Sequence, residues 1–266
     1  MNSGCLAEVY ITVKNNIYIR REGVKMEIVV YGAGVLAQLT KESVITSGSN
    51  VAGMIDPLGN TEYKSLKEFD KDCDIIIDFS HFSSLDDILE YAVKNRKPVI
   101  IATTGHSKEQ TALIEEASKH IAVLKATNTS FGVTMVNEIL SYAAKLLKGF
   151  DIELIEKHHN RKIDSPSGTA NTMLEVIQAG IGEDRELVYG RDGNSKRTAK
   201  EIGVHSVRAG NIVGEHTVIF SRGDEVIEIK HEALSRKMFA DGAVDAASKL
   251  VNKKSGLYSM KDLLII

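Results

Sequence analysis

The residues best equipped for chemistry crowd one stretch of the chain: His158, His159, Arg161 and Lys162, followed at once by Pro166-Ser167-Gly168-Thr169. Histidine titrates near neutral pH, and a lysine supplies a proton or a charged hydrogen bond. Pro-Ser-Gly-Thr reads as a helix start, with Ser167 or Thr169 as the cap. A helix start offers unpaired amides and the positive end of the peptide dipole, which suits a carboxylate. Basic side chains beside such a start fit an acidic small molecule that also has to receive a proton. Each residue has a plainer reading as well. Adjacent histidines on a strand point to opposite faces, so one of the two is then structural. Lys162 alone is a solvated surface charge. No further ligands accompany the histidines at metal-binding spacing, so no metal is expected.

A second constellation lies near the amino terminus. Gly32-Ala33-Gly34-Val35-Leu36-Ala37 has the form G-x-G-x-x-A and directly follows the β-rich run Glu27 to Tyr31. A strand, a tight glycine turn and a helix start are what a dinucleotide pyrophosphate needs, because the backbone must approach it closely. Asp56, at the end of the next strand, stands where a carboxylate accepts from the adenosine ribose hydroxyls. It is equally a turn residue ahead of Pro57. If it holds the ribose, its charge repels a 2′-phosphate and no arginine follows it, which favours NADH over NADPH. Ala102-Thr103-Thr104 and Ala126-Thr127-Asn128-Thr129 each follow a later strand, at the sheet edge where such folds bind ligands. Both could contact the nicotinamide half, or serve as caps and turns.

The elements that would position these residues follow from hydrophobic periodicity. Runs at 27–31, 50–55, 73–78, 98–102 and 120–125 read as buried strands, with helices at about 34–47, 85–95 and 108–119 between them. That alternation predicts a parallel sheet covered on both faces. After Asn128 the pattern changes. Helices are expected at 132–147 and 167–181, alternating strands at 152–158, 203–208, 214–221 and 225–232, and a closing helix at 235–251. This predicts a second domain of α+β character with an open mixed sheet. The resulting division is 1–25 as an N-terminal extension, 26–128 as the dinucleotide-binding domain, and 129–238 as the substrate domain. Residues 8–20 could form a hairpin, or 1–25 could be a translated leader ahead of Met26.

Bulk properties narrow the classes. A net charge of −3 argues against a broad nucleic-acid surface. No apolar run approaches the roughly 20 residues needed to span a bilayer, so no membrane is expected. Two cysteines, Cys5 and Cys73, without metal or disulfide spacing fit a reducing cytoplasm.

The string HHNRKIDSPSGTA at 158–170 resembles the signature of the dihydrodipicolinate (4-hydroxy-tetrahydrodipicolinate) reductase family. IATTG at 101–105, NTSFGV at 128–133, GVHSVRAGNIVGEHTVIF at 203–220 and FADGA at 239–243 support the resemblance, which runs from Met26 to about Leu264. It implies a Rossmann-like domain completed by 239–266, an intervening substrate-binding and tetramerisation domain, and a homotetramer built through the substrate-domain sheets. It also implies NAD(P)H-dependent reduction of a cyclic imine dicarboxylate on the route to diaminopimelate and lysine. Carried over by position, His158 resembles the proton donor and Lys162 a second one. His159, with Ser167, Gly168 and Thr169 at the helix start, resembles the contacts to the substrate carboxylates. Gly32 to Ala37, Asp56, Ala102 to Thr104 and Ala126 to Thr129 resemble the cofactor contacts. One departure stands out. The family commonly reads G-x-G-G-R-M-G in the first loop, and here the arginine and two later glycines are missing, which puts cofactor preference in question. Two rivals remain open at this point: another two-domain dehydrogenase, and a nucleotide sensor that binds NADH without consuming it.

Overall fold

A computed structural model describes residues 25–264, and the expected hairpin at 8–20 lies outside them. Five Ile/Val-rich runs form strands β1 (Glu27–Tyr31), β2 (Asn50–Ile55), β3 (Ile75–Asp78), β4 (Val99–Ile101) and β5 (Ala122–Lys125). Helices α1 (Val35–Thr46), α2 (Leu85–Asn95) and α3 (Lys108–Ser118) lie between them. Side chains alternate across a strand, so one run serves two cores. Ile28, Val30, Ile75, Ile77, Ile100 and Leu124 pack on one face, in a cluster with Ala37 and Val44 of α1. Val29, Tyr31, Ile76, Val99, Ile101 and Val123 pack on the other, against Ile88 and Ala92 of α2 and Ile114 of α3. Each fully buried aliphatic side chain contributes about 1.5–3 kcal/mol.

The rest of the chain forms α4 (Phe131–Leu146), β6 (Asp151–His158), α5 (Gly168–Ile181), β7 (Glu186–Tyr189), β8 (Glu201–Arg208), β9 (Gly214–Arg222) and β10 (Glu225–Ala233). These strands make a mixed sheet in the order β10-β9-β6-β8-β7. Leu140 and Ala144 of α4 and Met173, Leu174 and Ile177 of α5 cover one face, over Ile152, Leu154, Ile202, Val204, Val218 and Phe220. Among the described residues no helix packs on the opposite face, which carries Glu153, Lys157, His205 and Val207.

The chain then returns to the first sheet. The expected closing helix is α6 (Lys237–Leu250), and its Ala243, Ala246, Ala247 and Leu250 complete the α1-side core. Two elements absent from the sequence expectation follow it, β11 (Gly256–Tyr258) and α7 (Met260–Leu264). β11 pairs in parallel with β5, so the first sheet is completed by a strand as well as a helix. The reason is physical: β5 offers an open edge, and an unpaired strand edge is a ready template for pairing. β7 was likewise not expected.

The six-stranded sheet has the order β11-β5-β4-β3-β1-β2 and is parallel throughout. Strand order reverses between β1 and β3. That reversal opens a crevice beyond the strands' carboxyl ends, where folds of this kind bind ligands. Among the described residues no helix is long and apolar enough to cross a membrane.

Candidate active site

The basic loop is fastened at both ends. β6 alternates, so Glu156 and His158 turn together toward the helix-covered side, and both are buried. β6 ends at His158, so the opposite-face argument does not apply to His159, which lies beyond the strand. The Ala209 amide donates to the His158 carbonyl at 2.9 Å and the Asn160 amide to the Gly210 carbonyl at 3.2 Å, tying the loop to the β8–β9 turn. Ser165–Pro166 is a cis peptide. α5 then starts with Ser167 as its cap, the hydroxyl accepting from the Ala170 amide at 3.2 Å. Of the two caps the sequence allowed, Ser167 is the one used. Only 2% exposed, Ser167 gives the site its position and not an open hydroxyl. Gly168 is exposed, and a methyl group placed on it would meet nothing within 4 Å. The first turn of α5 holds no acidic residue, so its positive end is uncompensated.

Beneath the loop lies a buried polar network. Glu156 Oε2 stands 2.5 Å from His158 Nδ1. Arg208 donates to both carboxylate oxygens of Glu156, at 2.8 and 2.6 Å. The Ser167 amide donates to Glu156 Oε1 at 3.3 Å. Burial opposes ionisation of Glu156, but Arg208 and His158 outweigh it and bring the carboxyl down to about 2. The His216 ring packs edge-on to His158 with centroids 5.2 Å apart, and its Nε2 lies 2.9 Å from Ser167 Oγ. Burial, then the charge of His158, pushes His216 down to about 4, so it is neutral near pH 7. Lys162 pairs with Asp164 at 2.8 Å. His159 has a buried Nδ1 with no hydrogen-bond partner among the described residues. Burial, then Arg161, lowers its pKa.

The glycine loop lies across the topological crevice. Gly32 adopts φ +127°, and its amide donates to the Ile55 carbonyl at 2.7 Å. A methyl group there would stand 2.5 Å from the Phe79 carbonyl oxygen, so only glycine fits. Gly34 caps α1 without a side-chain bond, and the space beside it is open. The amino end of α1 carries no acidic residue. An uncapped helix start behind an open glycine fits a pyrophosphate. Ala33 and Leu36 are half-buried, Val35 is exposed, and Ala37 is buried beneath the turn. Asp56 closes a turn through Oδ2, which accepts from the Asn60 amide at 3.2 Å and the Asn60 side chain at 2.7 Å.

The two later edge loops are structured differently. Thr103 Oγ1 accepts from the Ser80 amide at 3.1 Å, next to half-buried Ala102 and exposed Thr104. The cap of α3 is Ser107, so Thr103 and Thr104 do not cap that helix. Ala126 is buried, Thr127 is exposed, and Thr129 is buried and donates to the Phe239 carbonyl at 2.6 Å. Asn128 Oδ1 accepts from the Ser130 amide at 2.8 Å, while its Nδ2 donates to Thr169 Oγ1 at 3.2 Å. That last bond joins the first sheet's ligand edge to the first turn of α5, so one cofactor candidate and one substrate candidate are direct neighbours.

Two family models account for nearly all of the described chain: the N-terminal part of dihydrodipicolinate reductase matches residues 26–129, and its C-terminal part matches 132–264. The chain belongs to the dihydrodipicolinate reductase family. The 4-hydroxy-tetrahydrodipicolinate reductase of Brachyspira hyodysenteriae is 45% identical over 240 residues, covering 90% of this chain and 100% of that protein. The enzyme of the same name from Caldanaerobacter subterraneus subsp. tengcongensis is 45% identical, covering 86% and 92%. Among solved structures, dipicolinate-bound dihydrodipicolinate reductase from Paenisporosarcina sp. TG-14 superposes with a TM-score of 0.72 at 20% identity, over 89% of this chain and 98% of that one. A myo-inositol dehydrogenase from Corynebacterium glutamicum superposes with a TM-score of 0.56 at 14% identity, over 91% and 93%. At such identities the likeness speaks for the fold alone. The fold over most of the chain is therefore one that a myo-inositol dehydrogenase has as well.

Sequence reasoning gave no role to Glu156, Arg208 and His216 beneath the basic loop, nor to Asp78 at the crevice of the first sheet. Glu156 and His158 two apart on a strand were the one available signal. Asp78 ends β3 at the crevice, is 1% exposed, and its Oδ1 accepts from the Ser80 amide at 2.9 Å and the Ser80 hydroxyl at 2.5 Å. Burial raises its carboxyl from the ordinary 3.8 to about 6 despite the Ser80 bonds. A carboxyl whose pKa is higher folded than unfolded favours the fold most below the unfolded value, and that advantage is lost as pH rises through the folded value. Asp78→Asn removes this dependence. Urea unfolding is expected to show the variant gaining on the parent by about 2 kcal/mol between pH 4 and pH 8. A difference independent of pH would contradict the assignment.

Proposed function

We propose that this protein reduces 4-hydroxy-tetrahydrodipicolinate to tetrahydrodipicolinate with NAD(P)H, in diaminopimelate and lysine biosynthesis. The observation that carries this reading is the Asn128–Thr169 bond, which sets the helix start of the basic loop against the dinucleotide edge. The substrate's 4-hydroxyl leaves as water, and the reduced nicotinamide, when bound, would supply hydride to the conjugated ring that results. The chain's own residues do the rest. Gly32 to Ala37 receive the pyrophosphate at the amino end of α1. Asp56 accepts from the adenosine ribose through the oxygen that Asn60 leaves free. Ala102 to Thr104 and Ala126 to Thr129 border the nicotinamide half.

The Gly168 and Thr169 amides, behind the Ser167 cap, hold one substrate carboxylate, and His159 donates to it. Hydride arrival pushes electron density toward the ring nitrogen. His158 and Lys162 offset that charge by hydrogen bonding and proton donation. Asp56 and the missing loop arginine favour NADH over NADPH. The helix-free face of the second sheet is where copies meet, giving a homotetramer. Buried Cys73, its thiol pushed up to about 11 by burial, fits a reducing cytoplasm and plays no part in the reaction.

The test is consumption of NADH, and in parallel NADPH, with freshly made substrate from the condensation of aspartate semialdehyde with pyruvate. Substrate-dependent oxidation is expected, faster with NADH. A protein that bound NADH and left it unoxidised would be a sensor, and this reading would fall.

A further inference from the structure

The deepest polar group in the cleft is one to which the reaction as described gives no task. Glu156 is 0% exposed, yet it is ionised and bonded on every side. It reaches the proton-donating ring at Nδ1, the Arg208 guanidinium through both oxygens, and the Ser167 amide that begins the carboxylate-holding helix. An ionised carboxylate only accepts hydrogen bonds. Nδ1 of His158 must therefore carry a hydrogen in both protonation states of the ring. The proton that can be exchanged is left at Nε2. That atom has no hydrogen-bond partner among the described residues, and it lies against Gly214, where a methyl group would come within 3.1 Å of it.

We propose that Glu156 is a positioning residue that fixes the His158 tautomer, so that Nε2 is the only ring atom giving its proton to substrate. It also ties that ring to the amino end of α5. This rests on the reading of His158 as a proton donor. Arg208 keeps the carboxylate ionised in a buried place, which a lone carboxylate would not tolerate. The same carboxylate holds the Ser167 amide, so the proton donor and the carboxylate-binding helix start are set at one fixed spacing. A neutral amide at 156 fails in a defined way. Its oxygen accepts from Nδ1–H, but its nitrogen donates equally well to a bare Nδ1, so both tautomers become available.

The experiment is a two-bond proton–nitrogen correlation spectrum of the histidine side chains in the full-length protein, with the His158 signals assigned from His158→Asn. The parent is expected to carry its hydrogen at Nδ1 when the ring is neutral. Glu156→Gln is expected to show Nε2–H as well, and to lose about tenfold or more in kcat, with NADH affinity, read by fluorescence titration, within about twofold of the parent. A neutral ring protonated at Nε2 in the parent overturns the proposal. So does Glu156→Gln with full kcat. If Glu156→Gln does not fold, the parent spectrum still decides. The tautomer is read without turnover, so its failure and the failure of the reductase reading are separate results.

Discussion

His158→Ala and Lys162→Ala are each expected to lower kcat by about 10²–10⁴-fold while leaving NADH affinity within about twofold. The first loss corresponds to removing a proton donor whose ring is already held by a buried carboxylate. The neighbouring His216 cannot take its place, because it is neutral near pH 7 and its Nε2 is engaged with Ser167. The second loss is expected even though Lys162 is paired with Asp164. Asp164 is 61% exposed at its side chain, and exposed pairs are worth under about 1 kcal/mol. A dianionic substrate therefore competes for the ammonium at small cost. Lys162→Arg separates charge from proton delivery. Arginine keeps the charge but holds its proton too tightly to give it up, so its kcat should stay near that of the alanine variant. Steady-state kinetics with fluorescence titration of NADH decides. Unaltered turnover in both alanine variants would remove these roles.

Gly242→Ala is expected to destabilise the fold by about 3 kcal/mol. The sign is not what helix propensity alone gives, since alanine is favoured over glycine by about 1 kcal/mol inside a helix. Packing decides instead. A methyl group at 242 would stand 1.9 Å from the Thr129 carbonyl oxygen, a backbone atom that cannot swing aside. α6 and the segment after β5 would have to separate, beside the Thr129–Phe239 bond. Asn128 would move with that segment, so KM should rise along with the loss of stability. A melting temperature about 6–12 °C lower is expected for a protein of this size. An unchanged melt would mean that α6 and Thr129 are not in such close contact.

Much of this architecture is legible in the amino-acid sequence. Ile/Val runs mark β1 to β5, and alternation in residues 152–158 marks β6, because sheets covered on both faces and on one leave different periods. β11 is not legible there. Three residues, Gly256-Leu257-Tyr258, hold no period, and their strand state is imposed by β5 from more than a hundred residues away. The site divides the same way. Residue types in 158–170 disclose the anion-binding helix start and the basic loop. The tie between Glu156 and Arg208 depends on the parallel register of β6 with β8, which sets His158 opposite Arg208. No local pattern encodes that register. Asp56 is open to two readings from sequence, and its bond to Asn60 makes the turn plain while leaving one oxygen for the ribose.

The late arrival of β11 has a consequence for biosynthesis. A ribosome releases β5 long before Gly256–Tyr258 exists, and the whole second sheet is translated in between. Throughout that interval the nascent first sheet presents a bare flank to its neighbours on the polysome. Messages that stop short of codon 256 would leave it so for good, and their products are the ones chaperones and proteases should meet first.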